Sequence, residues 1–346
     1  MAGAGELMEY AVLGRTGLKV SRIGLGGGGI AQMFGGTTRS EAVRAVKRSL
    51  DLGVNFFDSC YCYGEGEAEV VLGHGLEGRR DEAVICSKVD FRPWPLDDAD
   101  GFVTGWVEAS LQRLRTDVID VLLVHNQFTA LRGEETLSLT VEDVLGPVLQ
   151  AYRNVQDSGK VRFIGIPSVF RQAARVKKIL ESGEFDVVMP LCHLLNRTLQ
   201  EPPPPGFPHH DYGQLLALIR SMNLGVICVQ ALAGGRLTPI VDRTVKPGSA
   251  AALEVETVGK LDFLLHDGID TTTKAAIVFC LMNKELHTVV AGAKNVAEIE
   301  ETASAVELPP FSEAEMQRLH ELYMHNFDCS TPETQPTLMA STGSER

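Results

Sequence analysis

Short β-branched runs alternate with longer amphipathic stretches along most of this chain, and that alternation is the strongest constraint on its fold. Eight of the runs are predicted to be strands of one sheet: Arg22–Leu25, Val54–Phe57, Val84–Lys88, Val118–Val124, Val161–Ile166, Asp186–Met189, Gly225–Val229 and Thr288–Ala291. Helical periodicity separates nearly all of them, in Arg39–Leu52, Val103–Leu114, Val141–Ser158, Phe170–Leu180, Tyr212–Ser221, Ala251–His266 and Thr272–Met282. This order indicates right-handed β-α-β units and a parallel sheet. Because eight units favour closure, we predict an α/β fold of the (β/α)8 or TIM-barrel class, with an open doubly wound sheet as the alternative.

An N-terminal β-hairpin is predicted to precede the barrel. Its strands are Tyr10–Leu13 and Val20–Leu25, and the turn is Gly14–Gly17. Long loops are predicted after two of the barrel strands, at Asn126–Leu139 and Leu191–Asp211. Both lie at the C-terminal ends of strands, which is the face on which barrel enzymes build their active sites.

The C-terminal part of the chain is predicted to end in a closing helix and a tail. Pro309–Leu322 has the pattern of a helix with Ser312 as its N-cap. The residues that follow are polar and uncapped. We therefore expect a single domain over residues 1–328 and a disordered tail over residues 329–346.

Composition and charge exclude several classes of partner. The chain has 346 residues, 44% of them hydrophobic, which is typical of a globular protein. The 32 basic and 45 acidic residues give a net charge of −13, which argues against binding to nucleic acid or to an anionic membrane surface. No apolar run is long enough to span a bilayer, and the N-terminus lacks the pattern of a signal peptide. We therefore predict a cytoplasmic protein.

The seven cysteines are scattered and odd in number, which is typical of reduced thiols in a cytosolic protein. Cys60-Tyr61-Cys62 is the one close pair. A C-x-C pair without a second pair is a weak metal motif, so it is interpreted as packing or as the lining of a substrate pocket. We accordingly predict no metal site.

A glycine-rich motif follows the first predicted barrel strand. Gly24-Leu25-Gly26-Gly27-Gly28-Gly29 matches G-x-G-x-x-G, which binds dinucleotides when a helix begins at its last glycine. Here the next predicted helix begins about ten residues later, near Arg39, and Ile30–Thr38 is predicted to be loop. The motif is therefore interpreted as a flexible glycine loop that lets a cofactor approach the backbone of Gly27.

Four ionisable residues lie at or just after the ends of three consecutive predicted strands. Asp58, Lys88 and His125 each end or follow a strand, and Tyr63 comes five residues after Asp58. An apolar strand that ends in a charged residue is typical of the catalytic face of a barrel. We predict that these four side chains form one site.

Their chemistry suits proton transfer coupled to movement of a hydride. A free tyrosine has a pKa of about 10, and an ammonium at about 4 Å lowers it by about 3 units at most. Lys88 is predicted to supply that charge, Asp58 to hold Lys88, and His125 to orient a carbonyl oxygen. Because no side chain is a redox group, the hydride must come from a cofactor.

At these residues the sequence resembles the aldo-keto reductase superfamily. The resemblance runs from about Leu13 to Leu322 and rests on Asn55–Ser59 with Tyr63-Gly64, Glu67, Glu69 and Leu72-Gly73, on Ser110–Asp120 before His125, on Gly159–Gly165, and on Gly292–Asn295 with Ile299–Glu301. It implies a (β/α)8 barrel, NAD(P) bound without a Rossmann fold, and a catalytic tetrad. All four tetrad positions are filled here, by Asp58, Tyr63, Lys88 and His125.

Some nicotinamide-contacting positions depart from the pattern of the family. The usual Ser-Asn pair after the fifth strand is Pro167-Ser168, the usual Gln after the sixth strand is Met189, and the usual Tyr near the seventh is Val229. We expect Ser168 and Gln230 to replace the missing contacts.

The resemblance also implies a set of cofactor-binding positions and a coenzyme preference. The predicted cofactor contacts are Gly27, Ser168, Gln230, Leu232, Gly235, Gly292, Lys294, Glu298 and Glu301. Glu298 stands where NADP-using members often carry an arginine, so NAD is predicted to be favoured over NADP, although Lys294 acts in the opposite direction.

Patterns after the sixth and seventh strands resemble the L-galactose and D-threo-aldose dehydrogenase branch. They are Cys192-His193 with Asn196, and Leu232-Ala233 with Gly235 and Leu237-Thr238. The predicted function is hydride transfer between NAD or NADP and a small carbonyl or sugar hemiacetal, with Cys60, Asn126 and His193 in contact with substrate. The alternatives are a general aldehyde reductase and a non-catalytic nicotinamide-nucleotide-binding barrel that acts as a sensor or partner subunit.

Overall fold

A closed barrel of eight parallel strands forms the centre of the protein, as predicted. The computed structural model describes residues 8–33, 36–91, 96–136, 138–168, 172–239 and 250–328. In the order in which they pair around the barrel, the strands are β3 (Ile23–Gly26), β4 (Phe56–Asp58), β5 (Val84–Val89), β6 (Ile119–Val124), β9 (Val161–Ser168), β10 (Val187–Pro190), β11 (Gly225–Cys228) and β12 (Thr288–Gly292). Strand β12 pairs with β3 and closes the barrel.

Helices follow the strands and cover the outside of the barrel. They are α1 (Gly27–Ile30), α2 (Arg39–Asp51), α3 (Glu67–Gly75), α4 (Ala99–Leu114), α5 (Val141–Asp143), α6 (Leu149–Asp157), α7 (Ala173–Glu181), α8 (Leu216–Ser221), α9 (Ala250–Gly259), α10 (Thr272–Met282), α11 (Val296–Ser304) and α12 (Glu313–Met324). The predicted N-cap of the closing helix is confirmed, because Ser312 and Glu315 form a reciprocal capping box at the start of α12.

The predicted hairpin is present and closes the N-terminal end of the barrel. Its strands are β1 (Tyr10–Val12) and β2 (Lys19–Ser21), which pair antiparallel. The second strand ends at Ser21 rather than continuing to Leu25, because the backbone turns there and β3 pairs with barrel strands instead. Leu13, Leu18 and Val20 pack into the barrel interior, where they join the apolar side chains of the strands.

Two apolar layers hold the barrel together. The inner one is formed by strand residues that point into the barrel, such as Phe56, Val121, Met189 and Ile227. The outer and larger one lies between the strands and the surrounding helices. Because both faces of the strands are buried, most strand side chains are apolar, and the predicted site lies at the strand ends, where Asp58, Lys88 and His125 occur.

Several predicted boundaries were wrong. Helix α3 was not among the predicted helices, and α8 begins at Leu216 rather than at Tyr212. The predicted helix Val141–Ser158 contains a π-helical turn at Val144–Val148, because Pro147 interrupts its backbone hydrogen bonds.

The loop after β6 carries two short strands, β7 (Gln127–Phe128) and β8 (Ser138–Leu139), that pair with each other. The predicted tail over residues 329–346 lies outside the described residues. Within the described ranges, no helix is long and apolar enough to cross a membrane.

Candidate active site

Lys88 is the centre of the polar cluster at the C-terminal end of the barrel. Its side chain is 1% exposed, and its ammonium lies 2.5 Å from Asp58 Oδ1. It also donates to the backbone oxygen of Ser59 at 2.8 Å and to the Tyr63 hydroxyl at 3.3 Å. Adjacent parallel strands bring these groups together, since Asp58 ends β4 and Lys88 lies near the end of β5. A buried ammonium is tolerated only when it is paired and hydrogen-bonded, and Asp58 and Ser59 provide that pairing.

Tyr63 lies in the loop after β4, with its hydroxyl on Lys88. Its ring is only partly buried, and the Lys88 ammonium is 4.7 Å from the ring centroid. Burial raises the pKa of Tyr63 well above its usual value, and the nearby ammonium opposes that rise without cancelling it. Lys88 thus acts in the predicted direction, but the net pKa shift is upward. The phenol is therefore protonated at neutral pH and can donate its proton to a bound oxygen.

His125 directly follows β6 and faces the same space. Its ring lies edge-on to that of Tyr63, with the centroids 6.3 Å apart. Its Nδ1 is 2.7 Å from Asp90 Oδ1. Burial lowers the pKa of His125, whereas its contacts with Cys60 and with the Asp90 carboxylate raise it, and the net shift is upward. Since burial also raises the pKa of the Cys60 thiol, that thiol is neutral at pH 7, and the Asp90 carboxylate is the partner that keeps the imidazole charged.

Asp90 was not predicted from the sequence. It lies two residues after Lys88, is 3% exposed and also accepts a contact from Cys60 Sγ at 3.6 Å. A second acidic residue just past the end of an apolar strand was the signal that could have identified it. Asp90 fixes the orientation of His125, which makes it a positioning residue of the site.

The three predicted substrate contacts lie in different surroundings. Cys60 is buried beside His125, with Sγ 3.6 Å from Nδ1. The Asn126 amide accepts from Phe91 N at 3.0 Å and donates to Phe91 O, so it holds the backbone after β5. His193 is buried and accepts from Leu195 N at 3.2 Å, and burial lowers its pKa well below the usual value. It is therefore a neutral imidazole whose other nitrogen carries the proton.

The predicted nicotinamide-side residues lie at or after the ends of β9 and β11. Ser168 is the buried last residue of β9. Gln230 is exposed and has a left-handed backbone, with φ of 56°. Leu232 and Gly235 follow it, and both are partly buried. Met189 and Val229 pack into or against the inner apolar layer of the barrel instead.

The predicted phosphate-side residues lie at the end of β12 and the start of α11. Gly292 ends β12 beside Gly26 of β3. The backbone N–H of Lys294 donates to Glu298 at 2.8 Å, and its ammonium lies 3.5 Å from the same carboxylate. Thr37 donates to the backbone oxygen of Lys294 at 2.8 Å. Glu301 accepts from Thr271 at 2.7 Å, so its carboxylate is engaged within the protein.

The glycine motif forms a single helical turn rather than the flexible loop that was predicted. Helix α1 covers Gly27–Ile30. A Cβ on Gly27 would lie 2.8 Å from the backbone oxygen of Asp58 and 3.0 Å from the Tyr63 ring, and one on Gly29 would lie 2.5 Å from the backbone oxygen of Ala293. The glycines therefore allow α1 to pack directly against β4 and the segment after β12.

Gly27→Ala should destabilise the fold by about 1–3 kcal/mol, because the backbone of Asp58 must move to admit the methyl group. It should also lower activity, since Tyr63 shares the contact. Gly105→Ala is the matched control, because Gly105 is exposed in α4 and no atom of the described residues lies within 4 Å of its Cβ position. That change should raise stability by up to about 1 kcal/mol. Chemical denaturation measures the free energy of unfolding of both variants. Equal values for Gly27→Ala and Gly105→Ala would contradict the predicted packing of Gly27.

Comparison with known proteins identifies the family. The family model described as the aldo/keto reductase family matches residues 22–324. The chain belongs to the aldo/keto reductase family. Membership of this family implies an oxidoreductase. L-galactose dehydrogenase from Arabidopsis thaliana is 28% identical over 312 residues, covering 86% of this chain and 88% of that protein, which confirms the resemblance seen in the sequence.

Two further relatives are informative. The NADH-specific methylglyoxal reductase of Escherichia coli is 26% identical over 334 residues, covering 87% of this chain and 94% of that protein. Among solved structures, the holo form of an aldo-keto reductase from Bacillus halodurans has a TM-score of 0.72 at 23% identity, covering 95% of this chain and 99% of that one. This likeness confirms the (β/α)8 barrel.

Proposed function

We propose that this aldo/keto reductase is an NAD(P)-dependent oxidoreductase that interconverts a small carbonyl or sugar hemiacetal with its alcohol or lactone. The observation that carries the proposal is the contact between the Lys88 ammonium and the Tyr63 hydroxyl, with Asp58 behind Lys88 and His125 facing Tyr63. A non-catalytic nucleotide-binding barrel has no need for a buried ammonium beside a protonated phenol.

The residues at the barrel mouth fit a nicotinamide dinucleotide. Among the described residues, no atom lies within 4 Å of the position that a Cβ on Gly292 would take, so an extended ligand can approach the backbone there. The Lys294 ammonium and the N-terminus of α11 favour the anionic phosphates, and Ser168 and Gln230 are the polar groups at the ends of β9 and β11. When bound, the nicotinamide supplies or accepts the hydride.

The protein's own contribution is proton transfer and orientation. Tyr63 donates its proton to the substrate oxygen during reduction, and the Lys88 ammonium stabilises the phenolate that results. His125 donates a hydrogen bond to the same oxygen and holds the carbonyl in place. In the oxidative direction the same groups act in reverse, with the phenolate accepting the hydroxyl proton.

We infer that the substrate is a small polyhydroxylated aldose oxidised at its anomeric carbon. Aromatic residues are only 6% of the chain, and the candidate substrate contacts Cys60 and His193 are small or polar. A pocket for a flat apolar ligand would be lined by hydrophobic and aromatic side chains. Phe128, which follows β6, is buried in the outer apolar layer, and Trp94, which follows β5 in the sequence, lies outside the described residues. Sites that hydrogen-bond hydroxyl groups strongly reject ligands that lack them. The similarity to a relative named L-galactose dehydrogenase supports the same inference.

A turnover screen tests both the activity and the substrate class. Values of kcat/KM for L-galactose, L-fucose and D-arabinose would be measured with NAD and NADP, and those for p-nitrobenzaldehyde and a steroid ketone with NADH and NADPH. We expect the aldoses to be preferred. A tenfold or greater advantage for the apolar carbonyls would make the protein a general aldehyde reductase. No turnover with any pair, together with tight nucleotide binding, would favour the non-catalytic alternative.

NAD should bind more tightly than NADP. The Glu298 carboxylate lies in the first turn of α11 next to Lys294, where it repels the 2′-phosphate of NADP and neutralises part of the lysine charge. Glu298→Arg should therefore strengthen NADP binding and weaken the preference for NAD over NADP. Glu300→Arg is the matched control, because Glu300 lies on the same helix but pairs with Arg48 of α2. Dissociation constants from fluorescence titration decide the matter, and tighter NADP binding by the wild type would contradict the prediction.

A further inference from the structure

Four potential metal ligands, one of them His125, lie close together near the Tyr63 loop. The C-x-C pair among them was not interpreted as a metal site from the sequence. The four are Cys60, Cys62, Asp90 and His125, and one donor atom from each lies within 4.8 Å of all the others. Cys60 and Cys62 come from the loop after β4, Asp90 follows β5 and His125 follows β6. The barrel thus supplies the partners that the C-x-C pair lacked in the sequence.

Three of the distances match the edges of a tetrahedral zinc site. Zinc bonds of about 2.3 Å to sulfur and about 2.0–2.2 Å to nitrogen or oxygen place a sulfur about 3.6 Å from a nitrogen or oxygen ligand. Nδ1 of His125 is 3.6 Å from Sγ of both Cys60 and Cys62, and Sγ of Cys60 is 3.6 Å from Asp90 Oδ2. These atoms already stand at the required separations.

Two other distances are shorter than the corresponding edges of a tetrahedral zinc site and must lengthen when zinc binds. The two sulfurs are 2.7 Å apart, and His125 Nδ1 is 2.7 Å from Asp90 Oδ1. In a tetrahedral site the sulfurs would be about 3.8 Å apart, so they must separate by about 1 Å.

We propose that Cys60, Cys62, Asp90 and His125 bind one zinc ion through two thiolates, a carboxylate and an imidazole nitrogen. Two thiolate ligands select zinc over magnesium or calcium, which prefer oxygen ligands. Both thiols and Nδ1 release any bound proton to solvent on binding. Cys62 is partly exposed, and the ion can enter from its side, whereas the other three ligands are buried.

Zinc at this position changes the environment of the site proposed above. It takes the Nδ1 position that now contacts Asp90, and it fixes the loop that carries Tyr63, which directly follows Cys62 in the chain. We therefore expect zinc to inhibit turnover. This consequence rests on the proposed function, whereas the binding of the metal does not.

Cobalt substitution tests the site without reference to activity. The full-length protein, reduced with a phosphine, would be titrated with Co²⁺ and then with Zn²⁺. We expect one Co²⁺ per chain, a thiolate-to-cobalt charge-transfer band, the intense visible absorption of four-coordinate cobalt, and loss of both on adding Zn²⁺. Absence of the charge-transfer band in the wild type would overturn the proposal.

Variants identify the ligands. Cys62→Ser and Cys60→Ser should each weaken zinc binding by more than about 100-fold, since loss of a group that only supports a ligand already costs 10–100-fold. Cys280→Ser is the matched control, because Cys280 is a buried thiol of α10 that contacts the backbone oxygen of Cys192 and does not belong to the group of four ligands, so its replacement should leave zinc affinity unchanged. Undiminished zinc affinity in the Cys60→Ser/Cys62→Ser double variant would overturn the assignment.

A measurement on the wild type avoids reliance on variants that fold poorly. Zinc should protect Cys62, the partly exposed thiol of the cluster, from alkylation by iodoacetamide, as read by peptide mass spectrometry, and should leave the labelling of the cysteines outside the cluster unchanged. Equal labelling with and without zinc would contradict the proposal. Zinc binding by a protein that turns over none of the tested substrates would leave the metal site standing and refute only the proposed function.

Discussion

Tyr63→Phe should remove turnover while leaving the affinity for the coenzyme nearly unchanged. The hydroxyl is the only group lost, and it is the one within hydrogen-bond distance of the Lys88 ammonium, at 3.3 Å. Because acid–base catalysis typically contributes 10²–10⁴-fold, we expect kcat to fall by about that factor. The ring remains, so the packing against Gly27 and the cation–π contact with Lys88 are kept.

Tyr61→Phe is the control for this experiment. Tyr61 lies in the same loop, but its ring packs edge-on against Trp106, with centroids 5.3 Å apart, and lies 4.9 Å from the Arg113 guanidinium. The Tyr61→Phe variant should keep most of the wild-type activity. Steady-state kinetics together with coenzyme titration separate catalysis from binding. A Tyr63→Phe variant with more than about a tenth of the wild-type kcat would refute the assigned role.

The barrel and the meeting of the four predicted catalytic side chains were predictable because both follow from local patterns. A β-branched run predicts a strand from its own residues, without knowledge of its neighbours. In a parallel sheet the C-terminal ends of the strands lie at the same edge. A residue such as Asp58 or Lys88 at a strand end is therefore placed in space by its position in the sequence alone. Their contact is shown by the structure, whereas their catalytic roles remain predictions.

Helix α1 was mispredicted because tertiary packing overrides local preference. Three of its four residues are glycine, which is among the poorest helix formers. The helix forms because its small residues let the backbone approach Asp58 and Ala293 closely. Helix α3 was missed for a related reason. It contains Gly73 and Gly75, which weaken the helical signal and pack against the backbone at the C-terminal end of α4 and against Val46 of α2.

Asp90 and the metal cluster depend on contacts between distant segments. Asp90 is one of 45 acidic residues, and only the pairing of β5 with β6 brings it to His125. Together with the pairing of β4 and β5, it converts an isolated C-x-C pair into a group of four ligands. A single sequence carries the residue types but not the register between strands, so this part of the site could not be derived from it.

Lys88→Met should be the most destabilising of the proposed substitutions. It leaves the Asp58 carboxylate, 3% exposed, without its ammonium partner. Breaking a buried ion pair by removing one member typically costs about 3–5 kcal/mol of unfolding free energy. Adding Asp58→Asn to Lys88→Met removes the unpaired charge and should recover part of that loss. Chemical denaturation of the single and double variants measures it, and equal stabilities of wild type and Lys88→Met would contradict the pairing.

The activity that remains in Lys88→Met should move to higher pH. The ammonium lowers the pKa of Tyr63, against a larger rise caused by burial, so its removal raises that pKa further. In the oxidative direction Tyr63 must lose its proton to act as a base, and the rise in rate with pH therefore shifts upward. In the reductive direction the phenol stays protonated to a higher pH, so the decline in rate shifts the same way. A pH–rate profile of kcat/KM identical to that of the wild type would show that Lys88 holds Asp58 in place without tuning Tyr63.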